Sequence, residues 1–121
     1  MGDLTDHFSR KEFACQCGCG SDQVSQELVS KLEMTRMMYD KPMKISSGIR
    51  CKTHNKNVGG VDDSEHVSGL AADIAVNGGF ERDQLVGFLR SHFQRMGISK
   101  RFIHVDVADK KDKPSPCLWV Y

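Results

Sequence analysis

Apolar residues recur at helical spacing between positions 24 and 38. Val24, Leu28, Leu32, Thr35 and Met38 share one face, and Pro42 ends the run. Gln26 and Glu27 follow Ser25, where the helix dipole favours negative charge, so a helix is predicted from Ser25 onward. A second amphipathic run puts Leu85, Phe88, Leu89, Phe93 and Met96 on one face, with Gly97 suited to its C-cap. Ser9 and Glu12, three residues apart in "SRKEF", form a capping-box pair. They predict a short helix that stops before the cysteines of "ACQCGCG".

Between and after these helices, the stretches "MKISS", "AADIAV", "RFIHVDV" and "CLWVY" read as short strands, the last preceded by the loop "KKDKPSP". Helices mixed irregularly with a few short strands predict an α+β fold, a small, mainly antiparallel sheet with flanking helices. The 121 residues, 39% of them hydrophobic, suit one domain spanning 1–121 with a core that does not depend on disulfides.

The period of two in the strands assigns their faces. In "AADIAV" it places Ala71, Asp73 and Ala75 on one side and Ala72, Ile74 and Val76 on the other, towards the core. In "RFIHVDV" it places Phe102, His104 and Asp106 opposite the β-branched Ile103, Val105 and Val107. Asp73 and His104 can then meet across paired strands. His66 lies on the loop that feeds the first of them, and Gly69 lets the chain turn so that the imidazole folds back over Asp73.

Two imidazoles and one carboxylate, with a fourth position open, is a common donor set for catalytic zinc. The same three residues also fit a surface histidine, a turn-capping aspartate and a satisfied core histidine, and spacing alone does not choose.

Charge and cysteine content narrow the setting. The 17 basic and 16 acidic side chains nearly cancel and no basic run interleaves with aromatics, which argues against a nucleic-acid partner. No apolar run approaches the ~20 residues of a membrane span, and "MGDLTDHFSR" has no secretory pattern. A monomer made in the cytoplasm, with no membrane insertion, is expected. In that reducing setting, five cysteines are thiols or metal ligands rather than disulfides. Cys15, Cys17, Cys19 and Cys51 are able to close a structural zinc site, with Cys117 as an equal candidate for the fourth ligand. The C-x-C-x-C spacing is as readily explained by reduced cysteines packing a loop.

The pattern Ser64-x-His66-x-x-Gly69-x-Ala71-x-Asp73, with "SSGIR" upstream and "FIHVDV" downstream, resembles the zinc D-alanyl-D-alanine carboxypeptidase family of cell-wall peptidases. The resemblance runs from His7 to Val107. It is closest to short phage and bacterial members, which share an opening like "HFSRKEFACQCGCG" and a stretch like "RCKTHNKNVGG".

It implies a fold shared with hedgehog domains and vancomycin-resistance dipeptidases, and one catalytic zinc on His66, Asp73 and His104. It also implies hydrolysis of peptidoglycan stem or cross-link peptides, the protein acting on the wall if released. By the same resemblance, Arg50 contacts the substrate carboxylate or carbonyl. Ser64 binds substrate or steadies His66.

The chain departs from the family at the general base. Similar enzymes carry an acidic residue or a histidine just before the last zinc histidine, where this chain has Arg101 and Phe102. Asp106, on the same strand face as His104, is the expected substitute, ahead of Glu65 and His54, which are expected to be solvent-exposed. The missing base also keeps open a second reading, a zinc-binding module of the same fold that binds cell-wall or protein partners without catalysis.

Overall fold

The computed structural model describes residues 2–61, 63–108 and 113–121. Its elements run α1 (Arg10–Phe13), α2 (Gln26–Tyr39), β1 (Ile45–Ser47), α3 (Lys52–Asn57), β2 (Ala71–Ala75), α4 (Gly79–Arg90), β3 (Arg95–Ile98), β4 (Phe102–Asp106) and β5 (Cys117–Val120). The strands form one sheet in the order β1-β2-β4-β3-β5. Every neighbouring pair is antiparallel except β3 and β5. This is the expected α+β architecture.

The alternation in β2 and β4 divides the sheet as predicted. Ala72, Ile74, Val76, Ile103 and Val105 enter the core with Leu28 and Leu32 of α2 and Leu85 and Leu89 of α4. Leu28, Leu32 and Leu89 are fully buried. Truncating any one of them to alanine costs about 2–5 kcal/mol, through lost transfer energy and the cavity left behind.

Ser25 caps α2 by accepting a hydrogen bond from Leu28 N at 3.3 Å. The helix ends where Asp40 takes a left-handed conformation (φ 57°), before Pro42. Tyr39 rather than Met38 completes its buried face, Met38 being exposed. In α1, Ser9 N donates to Glu12 Oε2 at 2.6 Å, one arm of the expected capping box.

The second amphipathic run is two elements, not one. The helix stops at Arg90, a turn follows, and Arg95–Ile98 is a strand. Phe93 and Met96 are buried as predicted, but from beyond the helix, and Gly97 is a mid-strand residue instead of a C-cap. Phe93 lies four residues after Leu89 and Met96 three after Phe93, so loop and strand residues continued the helical rhythm by coincidence. The short polar helix α3 carries no apolar face that could have announced it. The loop expected at 110–116 lies partly outside the described residues.

Candidate metal centre and its cleft

A single row of residues crosses the sheet. Ser47 pairs with Asp73, Asp73 with His104, His104 with Gly97, and Gly97 with Trp119. The β1 end of the row contains a bulge, because Ile45 faces Ile74 while Ser47 faces Asp73. The Ser46 hydroxyl fills the irregularity by donating to the Asp73 carbonyl at 3.2 Å.

Gly97 supplies no side chain. A Cβ there would lie 2.3 Å from Trp119 Nε1, so the indole can lie across β3 only because the position is glycine. The indole ring then reaches 5.3 Å from the His104 ring.

His66 arrives from the loop before β2. Gly69, at φ 75°, turns the chain, and a Cβ there would strike the Gln23 carbonyl at 2.2 Å. The Ser64 hydroxyl accepts from His66 N at 3.2 Å, and the His66 carbonyl accepts from Arg50 N at 3.0 Å. Ser64 thus acts locally, fixing the backbone from which the imidazole projects, while also lining the cleft.

Three donor atoms converge. Asp73 Oδ1 lies 3.2 Å from His66 Nε2 and 3.0 Å from His104 Nδ1. The opposite nitrogen of each ring has its own acceptor: the Gly48 carbonyl at 2.6 Å from His66 Nδ1, and Asp106 Oδ2 at 2.8 Å from His104 Nε2. With a proton donated backwards, each neutral ring would turn a lone pair toward Asp73. Lone pairs on both sides of a carboxylate repel unless a cation lies among them. Metal–donor bonds of about 2.0–2.1 Å in a tetrahedron give donor–donor edges of roughly 3.3 Å, close to the separations here. The residues present therefore fit a small divalent metal.

Burial pushes the Asp73 carboxyl up, but the neighbouring His104 and His66 imidazoles outweigh it and hold it at about 2. For His104, burial pulls the imidazole down while Asp106 and Asp73 raise it further, leaving it above the usual histidine value. The two shifts are opposite faces of one interaction: the imidazoles favour the ionised carboxylate, and the carboxylates favour the charged imidazole.

Asp106 is not placed as a proton acceptor for the cleft. Its side chain is fully buried, and its oxygens are taken by His104 Nε2, by Arg95 Nε at 2.7 Å and by Ala108 N at 3.2 Å. It is absent from the cleft wall. Its geometry suits holding His104 in one tautomer. Arg95 completes that support, donating from Nη1 to the Pro114 carbonyl at 2.6 Å and stacking over Trp119.

Above the donors opens a cleft of about 720 Å³, within the usual range for ligand sites. Phe102, Trp119 and Tyr121 make an aromatic wall. Arg50 lines the cleft, and its Nε is a buried donor with no acceptor among the described residues. Glu65 and His54 also face the cleft and are partly buried rather than solvent-exposed as expected. The Glu65 side chain is 12% exposed, and Lys113 Nζ stands 3.5 Å from its Oε1. The hydrogen bond to Asp63 raises Lys113 above the ordinary lysine value.

Cys15, Cys17, Cys19 and Cys51 gather separately, each offering a sulfur within 4.8 Å of the others. Cys117 is not among them. It opens β5 opposite Arg95.

Sequence reasoning did not reach the Gly48 carbonyl, Arg95, Trp119, Tyr121 or Lys113. Trp119 and Tyr121 carried a usable signal, since the strand "CLWVY" alternates and sets both on one face. The Gly48 carbonyl carried none, because backbone atoms leave no mark on residue type.

Three fixed donors at the floor of an open cleft are what a mononuclear metal-dependent hydrolase presents to its substrate. Residues 6–106 match the peptidase M15 family, and the chain belongs to it. Within it, 41 residues, 34% of the chain, are 46% identical to a zinc D-Ala-D-Ala carboxypeptidase of Streptomyces albus G. The matched stretch covers 16% of that protein's length. Among the described residues, no helix is long and apolar enough to cross a membrane.

Proposed function

We propose that this protein is a zinc peptidase that hydrolyses peptidoglycan stem or cross-link peptides. The observation that carries the reading is the convergence of His66 Nε2, Asp73 Oδ1 and His104 Nδ1 under the cleft, each imidazole held by an acceptor behind it. Bound there, zinc supplies Lewis acidity toward a peptide carbonyl and toward water.

The chain's own residues do the rest. The Gly48 carbonyl and Asp106 keep both rings in the tautomer that turns a lone pair to the metal. Arg50, whose Nε has no acceptor among the described residues, receives a substrate carboxylate through a rigid fork. A free C-terminal carboxylate, such as that of the D-Ala-D-Ala in the relative's name, suits that donor. The aromatic wall packs the peptide and excludes water from the reacting bond.

Glu65 is the acid–base residue in this reading. It adjoins His66, faces the cleft and carries a carboxylate able to take a proton from the attacking water and return it to the leaving amine. His54 is the next candidate on the same wall. Arg101 and Phe102 at the family's base positions support the alternative, a zinc-binding module without turnover.

Digestion of purified peptidoglycan, with mass spectrometry of the released peptides, separates the two. New termini with the native protein, absent with His66→Ala, support the peptidase. Sedimentation with the wall and no new termini support the module. The bond cut, terminal or internal, is read from the same masses.

A further inference from the structure

We propose that Cys15, Cys17, Cys19 and Cys51 form a second metal site, a tetrathiolate that takes zinc and fastens the N-terminal loop to the segment supporting the active site. The site stands on its own residues and does not depend on the peptidase reading.

The sulfurs come from two places. Three lie in the loop after α1, where Gly18 and Gly20 both have positive φ and bend six residues back on themselves. The fourth, Cys51, is the N-cap of α3. Cys15 Sγ and Cys17 Sγ are 3.4 Å apart, Cys17 Sγ and Cys51 Sγ 3.6 Å, and all four sulfurs fall within 4.8 Å of one another. Zinc–sulfur bonds of about 2.3 Å in a tetrahedron give sulfur–sulfur edges of roughly 3.8 Å. The cluster is therefore close to the dimensions that a closed structural zinc site requires. None of the four cysteines is in a disulfide.

Backbone amides point at the sulfurs, another mark of a thiolate site. Cys51 N donates to Cys15 Sγ and His54 N to Cys51 Sγ, each at 3.4 Å. Such N–H groups stabilise the anionic form that binds metal.

The surroundings show why a clamp is useful here. Beyond the buried Cys15, the residues from Gln16 to Gly20 are all exposed, so the tip of the loop buries almost nothing with which to hold itself in place. Yet it adjoins a demanding region: Ile49 N donates to the Phe13 carbonyl at 2.7 Å, and Gln16 Nε2 to the Ser46 carbonyl at 2.7 Å. Gly48, whose carbonyl orients His66, and Arg50, on the cleft wall, lie in the same run that ends at Cys51. A metal on the four sulfurs would tie both sides of that contact together.

The test counts metal in a protein whose sheet site has been removed. Protein purified under reducing conditions without chelator should carry two zinc ions per chain, His66→Ala one, Cys17→Ser one, and the double variant none, by native mass spectrometry. Cobalt bound to His66→Ala should show the intense thiolate-to-metal charge-transfer absorption of a sulfur-rich site. Cys17→Ser should also lower Tm by about 5 °C. Where Cys17→Ser fails to fold, Cys19→Ser and the cobalt spectrum of His66→Ala carry the test. His66→Ala free of metal, with its thiols freely titratable, would overturn the proposal, as would a mass two hydrogens lighter from a disulfide. Native protein with both zinc ions bound that releases no peptide, while His66→Ala still holds one zinc, would sink the peptidase reading and leave this one standing.

Discussion

The two donor clusters are built in opposite ways. His66, Asp73 and His104 are all buried, two of them directly paired across β2 and β4, and each imidazole is held by an acceptor behind it. The four thiols sit on a loop and a helix cap, two of them exposed, and the loop is held by a few hydrogen bonds and the burial of Cys15 alone. In the first, the fold makes the site before any ion arrives. In the second, an ion would make the local fold. A preformed site with an open side suits chemistry, whereas a closed site whose binding energy is folding energy suits structure.

The largest expected effect breaks the first cluster outright. Asp73→Ala should empty the sheet site and reduce peptide hydrolysis to background, while the strands persist on the separate apolar face of Ile74 and Ile103. Circular dichroism with metal analysis checks this. Full zinc retention would show that these residues are not the ligands.

Asp106→Asn sharpens the contrast between ligand and support. Here Asp106 acts through His104, so the variant should lose about 10–100-fold in zinc affinity yet turn over near normally at saturating zinc. It should also cost about 3–5 kcal/mol of stability, because the buried Arg95 loses its partner. A collapse of kcat with zinc fully bound would instead make Asp106 the proton acceptor. Glu65→Gln is predicted to show that second pattern, falling roughly a hundredfold in kcat with zinc bound.

Arg50→Lys should act on substrate and leave both clusters alone. Replacing a fork by a point charge is expected to raise KM about tenfold for carboxylate-bearing substrates, with a smaller change in kcat. Equal losses with an amidated substrate would remove Arg50 from carboxylate binding.

The smallest effect lies outside both sites. Burial raises the Glu33 carboxyl, but hydrogen bonds from His7 outweigh it and hold it below the ordinary value. A carboxylate lowered in the folded state stabilises above its unfolded pKa, and that contribution is lost as pH falls through the folded one. Glu33→Gln should therefore flatten the acid limb of the stability curve and leave zinc stoichiometry unchanged.

The division between the legible and the illegible is physical. Strands β2 and β4 alternate strongly because one face is core and the other is site, so the side chains of Asp73 and His104 could be set on one face and their meeting anticipated. Strand β3 was hidden because Gly97, required to let Trp119 reach His104, carries no β-propensity, and Met96 continued a helical rhythm. Arg95 was lost with that strand, and with it the reason Asp106 is held away from the cleft. Asp106 shared the correct face with His104. What residue pattern could not say was that its cross-strand neighbour on the adjacent strand would occupy its carboxylate.

The most direct test of the central claim uses one substrate, a stem pentapeptide ending in D-Ala-D-Ala, incubated with chelated protein and with the same protein after zinc is restored, its products weighed by mass spectrometry. The account predicts no cleavage after chelation, cleavage on adding zinc, and none from His66→Ala under either condition. Zinc-loaded protein that binds the peptide and releases no product, or cleavage by His66→Ala, would contradict it.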